Sequence, residues 1–126
     1  MSNGKIKIEI PDVDTASGLN LCDDDFDIYI NSLRIFVSKI PASLEKLRIV
    51  SAETINNYAV CVHGVKGMSQ YVGAEEVRKM ALDLEKKAKA SDIDGVLAEN
   101  DKFILYTEKI LSNINNWLIT HDNSCK

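Results

Sequence analysis

The sequence is poor in aromatic residues, proline and cysteine, and each shortage narrows the kind of protein that it can encode. Aromatic residues make up 6% of the 126 residues, and the chain has only 2 prolines and 6 glycines. This composition is typical of a helix-rich globular domain with an aliphatic core. The three cysteines are odd in number and far apart, so we expect no disulfide framework. A chain of this length fits one domain.

The sequence also lacks an excess of basic residues and lacks long apolar runs. Fifteen lysines and arginines face nineteen acidic residues, for a net charge of −4, which excludes a broad phosphate-binding face and predicts no nucleic acid partner. No apolar run approaches the ~20 residues of a membrane span, and the charged N-terminus does not resemble a secretion signal. We therefore expect a cytoplasmic domain that makes no membrane contact itself, although another segment could tether it.

What the sequence does contain is helical periodicity along most of its length. Residues 1–11 read as an N-terminal arm or linker that ends at Pro11. A short helix follows, with Asp12 or Asp14 as its cap. From about Asp24 a longer helix begins, and it is predicted to continue beyond Pro41 as one kinked helix or two collinear helices, because the apolar residues keep their phase.

Three further amphipathic helices follow the same reasoning. One extends from about Ala52 to Val72 and ends at Gly73, and the next opens at Glu75 and closes on a lysine-rich turn. The last is predicted to start at Ser91, which has capping-box spacing to Asp94. Together these patterns predict an all-α fold, an antiparallel four-helix bundle with a short extra N-terminal helix. We assign the bundle to residues 12–119 and a flexible tail to residues 120–126.

Motif inspection removes most kinds of catalytic site and leaves one histidine. The chain has no CxxC pair, no HExxH, no GxSxG, no glycine-rich phosphate loop and no paired ExxH, so we expect no metal and no cofactor of its own. On a helical wheel of the third helix, His63 points about 140° away from the centre of the apolar face, toward water. Lys66 lies one turn on and can reach the imidazole.

The surroundings of His63 are unusually bare for a helix. Gly64 and Gly67 share its outer half, and each costs about 1 kcal/mol relative to alanine in a helix. A neutral imidazole is a good nucleophile near pH 7, and a nearby ammonium offsets the charge of a transferred phosphoryl group. These residues therefore favour a phosphoryl acceptor over which a partner's active site can close. The remaining outer residues form the candidate docking surface, namely Asn56, Val60, Gly64, Gln70 and Tyr71.

The segment His63-Gly64-Val65-Lys66-Gly67, with Ser69 and then Gly73-Ala74, resembles the H-x-[hydrophobic]-K-G-x-S motif and downstream Gly-Ala of histidine-containing phosphotransfer (HPt) domains. The resemblance extends from Pro11 to Leu118. It implies that His63 is the phosphorylated histidine, that Lys66 balances charge and that Gly67 provides clearance. Tyr71 is bulkier than the small or polar residue expected there, which we interpret as narrowing the choice of partner.

The resemblance also implies a function and partners. HPt domains shuttle phosphoryl groups between aspartates of response-regulator receiver domains, so we expect receiver domains and a hybrid sensor histidine kinase as partners. Mg²⁺ and the catalytic machinery would then belong to the receiver. If the domain is the terminal module of a membrane-bound hybrid kinase, that kinase tethers it. A monomer is expected, because the motif face must stay accessible.

Two other functions compete with the phosphorelay hypothesis. The first is a receiver-binding helical module without phosphotransfer, which would act as a sequestering or inhibitory adaptor. The second is an autonomous enzyme, such as a phosphohistidine phosphatase or a kinase, against which the missing phosphate loop argues. Labelling of His63, binding without labelling, and ATP turnover by the chain would distinguish the three.

Overall fold

The computed structural model describes residues 8–124, which form five α-helices and, within that range, no strand. The bounds of the helices are α1 Thr15–Leu21, α2 Phe26–Leu47, α3 Ile55–Val72, α4 Glu75–Lys89 and α5 Ile93–Ser124. Short connections join α2 through α5, so successive helices run antiparallel. Each of these four helices packs against two neighbours, in the order α2, α3, α4, α5 and back to α2. The all-α four-helix bundle with a short extra N-terminal helix is confirmed.

Helix α2 is a single helix that contains Pro41. The carboxylate of Asp25 accepts a 3.1 Å hydrogen bond from the backbone N–H of Ile28 and so caps its start. Pro41 is exposed, and its missing N–H interrupts the helical hydrogen bonds without ending the helix. The predicted continuity is confirmed, because Ile40 and Leu44 on either side of Pro41 are both buried in the core.

Hydrogen bonds between buried polar groups join the helices, in addition to the packing of the aliphatic core. The hydroxyl of Tyr58 in α3 donates a 2.6 Å hydrogen bond to Oδ1 of Asn100 in α5. The Nδ2 atom of Asn100 donates a 2.8 Å hydrogen bond to the backbone carbonyl of Leu47 at the end of α2. One amide therefore bridges three helices, and its polar groups are satisfied although Asn100 is buried.

The N-terminal segment packs against the bundle within the described residues. Ile8 and Ile10 are buried, and the hydroxyl of Thr15 donates a 2.7 Å hydrogen bond to the carbonyl of Ile8. Of the two predicted caps of α1, Asp14 accepts from the backbone N–H of Ser17, whereas Asp12 pairs with Lys109 of α5. Residues 1–7 of the predicted arm lie outside the described residues.

Helix α5 departs from the sequence prediction at both of its ends. It begins at Ile93, and the carboxylate of Asp92 rather than Ser91 caps it by accepting from the N–H of Gly95 at 2.9 Å. At the other end, the flexible tail predicted for residues 120–126 is corrected, because α5 continues to Ser124. His121 stacks on Trp117 with ring centroids 4.9 Å apart, which favours continued helix. Residues 125–126 lie outside the described residues.

Candidate functional site

Helix α3 carries His63 at its centre and is fixed at both ends. At the start, the backbone N–H of Ser51 donates to the hydroxyl of Thr54, and the N–H of Thr54 donates to the hydroxyl of Ser51. At the end, Gly73 adopts the left-handed conformation, with φ of 83°, and the N–H of Ala74 donates to the carbonyl of Ser69 at 2.9 Å. A side chain at Gly73 would collide with the carbonyl of Asp14. The centre of α3 is thus held at a defined height in the bundle.

Glu85 of α4 is a buried carboxylate that faces His63. Its side chain is 4% exposed, and three cationic or polar groups converge on it. Oε2 lies 2.7 Å from Nδ1 of His63 and 3.1 Å from Nζ of Lys89. Oε1 accepts a 2.7 Å hydrogen bond from Nζ of Lys66. Burial alone would raise the pKa of Glu85, but the hydrogen bonds from Lys66, Lys89 and His63 outweigh it and lower the pKa to about 2.

The ionised state of Glu85 decides which nitrogen of His63 is available. A carboxylate with a pKa of about 2 has no proton to donate at neutral pH, so Nδ1 of His63 must be the donor in their hydrogen bond. The neutral imidazole then carries its lone pair on Nε2. The side chain of His63 is 64% exposed. The exposed imidazole therefore has Nε2 available as a nucleophile, while Nδ1 is hydrogen-bonded to the buried carboxylate of Glu85.

The surface beside His63 is bare, as the sequence predicts. Within residues 8–124, a Cβ atom added at Gly64 or at Gly67 would meet nothing within 4 Å. Packing among these residues therefore gives no reason for glycine at either position. Both glycines lie in the middle of α3, where alanine would favour the helix by about 1 kcal/mol.

The predicted docking residues all lie exposed on α3. Val60 is 74% exposed and Tyr71 is 56% exposed, whereas Asn56, Gly64 and Gln70 expose polar or backbone atoms. Val60 and Gly64 line one side of an open groove of about 600 Å³ between α2 and α3. Val60 also borders a shallow pocket of about 240 Å³ next to His63. Exposed apolar surface thus begins one turn from the imidazole.

A family model for the Hpt domain matches residues 31–118, which include α3 and α4 in full. The chain belongs to the Hpt domain family. Hpt domains are phosphotransfer intermediates of two-component phosphorelays and interact with receiver domains and kinases. Comparison with curated proteins and comparison with solved structures both found no match.

Sequence reasoning about this Hpt domain missed Glu85 and Lys89. The signal for Glu85 was present, because it stands on the apolar stripe of α4 beside Leu84 and Ala88, where a charged residue is buried only if it is paired. Lys89 was interpreted only as part of a lysine-rich last turn. Its second partnership, with the carboxylate beneath His63, depends on the pairing of α3 with α4.

Among residues 8–124, no group of three or more His, Cys, Asp and Glu side chains is placed to hold a metal ion. No helix in the described part of the chain is long and apolar enough to cross a membrane.

Proposed function

We propose that this Hpt domain relays phosphoryl groups between aspartates of receiver domains through a phosphohistidine at His63. The observation that carries the proposal is the hydrogen bond between Nδ1 of His63 and the buried Glu85, because it leaves Nε2 as the exposed nucleophile. Membership of the family supports the type of reaction, and the geometry of α3 and α4 supports Nε2 of His63 as the nucleophilic atom.

The transfer step exchanges one bond to phosphorus for another. The lone pair of Nε2 attacks the phosphorus of a phosphoaspartate, the P–Nε2 bond forms and the P–O bond to the aspartate breaks. The aspartate leaves as a carboxylate, and the imidazole becomes a phosphorylated imidazolium that keeps its proton on Nδ1. Glu85 accepts the hydrogen bond from that proton and stabilises the positive ring. Onward transfer is the reverse of this step, to the aspartate of another receiver.

Lys66 and Gly67 support the step in different ways. Lys66 shares Glu85 with His63, so its ammonium lies close enough to offset negative charge near the imidazole. Gly67 leaves one turn of α3 without a side chain, and the receiver's active site can therefore approach Nε2. We assign charge balance to Lys66 and clearance to Gly67.

We infer further that the partner supplies the remaining components. Receiver domains dock on a surface of α3 formed by Asn56, Val60, Gly64, Gln70 and Tyr71. They bring the Mg²⁺ that transfer needs, so the Hpt domain needs no metal or nucleotide of its own. A hybrid sensor histidine kinase is a further partner, and the domain acts as a monomer in the cytoplasm or tethered to that kinase.

The test is transfer from a panel of phosphorylated receiver domains, followed by intact mass, with His63→Gln in parallel. We expect the native chain to gain one acid-labile, base-stable phosphoryl group and the variant to gain none. Because His63 is exposed, His63→Gln leaves the fold intact, which circular dichroism checks. Receiver binding without transfer by the native chain would replace the proposal with a sequestering adaptor. ATP turnover by the chain alone would indicate an autonomous enzyme.

A further inference from the structure

Lys89 occupies a special position among the lysines of α4. It is the last residue of the helix, its side chain is 67% exposed, and its ammonium is 3.1 Å from the same Oε2 atom that faces His63. The neighbouring Lys87 instead pairs with Asp83, at 2.8 Å, on the surface of α4. Lys89 is therefore the one cation of that last turn that reaches the buried carboxylate within the described residues.

The two lysines that bind Glu85 approach His63 from opposite directions. Lys66 is one turn after His63 on α3. Lys89 is one turn after Glu85 on α4, and because α4 runs antiparallel to α3, this turn lies toward the start of α3. The shallow pocket beside His63 reflects this placement, since its wall is formed by Lys89 and Glu85 on one side and by Ala59 and Val60 on the other. An ammonium thus borders the pocket into which the exposed side of the imidazole opens.

We propose that Lys89 is a second lysine that contacts the phosphoryl group, and that it moves from Glu85 to the phosphoryl oxygens when His63 is phosphorylated. The proposal rests on the proposed function of His63. No bond forms or breaks in this move. One ammonium exchanges a carboxylate partner for a phosphoryl partner.

Charge gives the reason for the move. Before transfer, the cluster of His63, Lys66, Lys89 and Glu85 contains two ammonium groups and one carboxylate. A phosphoryl group adds about two negative charges near neutral pH, and the positive ring of the phosphorylated His63 offsets one of them. Lys66 alone cannot offset both the phosphoryl group and Glu85, whereas the pair of lysines can share them.

The hydrogen bonds of Glu85 show which lysine is free to move. Lys66 is the single donor to Oε1 in the described structure and is only 24% exposed, so its departure would leave a buried oxygen without a partner. Oε2 is shared by Lys89 and by Nδ1 of His63. When Lys89 leaves, Nδ1–H still satisfies Oε2, and the exposed lysine stem has room to turn toward the pocket.

The test uses phosphoramidate, a small phosphodonor, so that no receiver is needed. The chain is phosphorylated, separated from the reagent and followed by intact mass as the phosphohistidine hydrolyses. We expect Lys89→Ala to shorten the lifetime of the phosphohistidine by about fivefold, the size of one partly screened ion pair, and Lys89→Arg to restore most of it. The matched control is Lys86→Ala, which removes another exposed lysine from the same last turn.

A second measurement separates contact with the phosphoryl group from a purely structural role. Thermal unfolding is compared with and without phosphorylation of His63. We expect Lys89→Ala to lower the melting temperature of the phosphorylated chain more than that of the unphosphorylated chain. Equal lowering of both, or an unchanged lifetime, would overturn the role of Lys89 and leave the role of His63 standing. A native chain that takes phosphate from neither phosphoramidate nor any receiver would instead overturn the proposed function itself.

Discussion

The hydroxyl of Tyr29 in α2 donates a 2.7 Å hydrogen bond to the backbone carbonyl of Val72, 43 residues later at the end of α3. Tyr29 is fully buried, and its ring packs against Gly18 of α1, where a Cβ atom would collide with it. This carbonyl belongs to the last turn of the helix that carries His63. Tyr29 of α2 thus provides a hydrogen-bond donor for a carbonyl at the C-terminal end of α3.

We predict that Tyr29→Phe lowers the free energy of unfolding by about 2 kcal/mol, because the buried carbonyl of Val72 loses its partner while the ring is kept. Urea unfolding measures the change. Tyr106→Phe is the control, since Tyr106 is half-buried and donates no hydrogen bond from its hydroxyl in the described structure. We expect that variant to stay within about 0.5 kcal/mol of the native chain. Equal effects of the two substitutions would contradict the assigned role of the hydroxyl.

The buried Glu85 predicts an acid-sensitive component of stability. Its pKa is about 2 in the folded chain and 4.5 for the free side chain in water, the reference for the unfolded chain. A depressed pKa stabilises the fold fully above about pH 4.5, and this contribution is lost as the pH falls toward 2. We therefore expect Glu85→Gln to be less stable than the native chain at pH 7, and the difference to shrink between pH 4.5 and pH 2.

Unfolding by urea at a series of pH values measures this difference. The control is Glu108→Gln, which removes a surface carboxylate paired with Arg48. Surface ion pairs contribute about 0–1 kcal/mol, so the control curve should follow that of the native chain. A difference between Glu85→Gln and the native chain that is independent of pH would contradict the prediction.

Gly67 predicts a separation of stability from transfer. Alanine at this position meets no atom of the described part of the chain within 4 Å and favours the helix, so we expect Gly67→Ala to raise the free energy of unfolding by about 0.5–1 kcal/mol. The same methyl group stands where the receiver must approach, so phosphotransfer should slow. Gly64→Ala tests the adjacent position in the same way. Loss of stability in Gly67→Ala, or unchanged transfer by it, would show that the glycine is not there for clearance.

The docking surface predicts a variant that loses partners and keeps its chemistry. Val60 is 74% exposed, so Val60→Asp should leave the fold intact. We expect it to weaken receiver binding by about tenfold, because a charge would replace an apolar side chain in the proposed docking surface. Labelling by phosphoramidate, which needs no docking, should fall much less than receiver binding, although Val60 borders the pocket beside His63. Leu105→Asp on α5, 68% exposed and outside the proposed docking surface, is the control with unchanged binding.

The helices of this Hpt domain could be predicted because their signals are local. Apolar residues recur at helical spacing, aspartates precede α1 and α2, and Gly73 follows α3. The same local geometry predicted that His63 points away from the core, since the wheel needs only the phase of one helix. Its exposed side chain confirms that prediction.

Features that depend on two helices could not be predicted in this way. Glu85 lies beneath His63 only because α3 and α4 pair in one register, and no periodicity within either helix fixes that register. The continuation of α5 has the same kind of cause, because His121 packs edge-on against Phe26 of α2. The choice of Asp92 over Ser91 as a cap rests on a single residue's backbone, with Ser91 at φ of 55°. The first two features depend on contacts between residues that are distant in sequence. The third depends on the backbone conformation of one residue, which helical periodicity does not predict.

The hydrogen bonds from Tyr58 to Asn100 and from Asn100 to Leu47 fix how far α2, α3 and α5 are shifted along their axes relative to one another. These two hydrogen bonds, at 2.6 Å and 2.8 Å, can form together at only one axial alignment of α2, α3 and α5. Sliding any of these helices by one turn, about 5.4 Å, would leave buried polar groups without hydrogen-bond partners in an aliphatic interior. The aliphatic core therefore holds the helices together, whereas the single side chain of Asn100 determines their axial alignment.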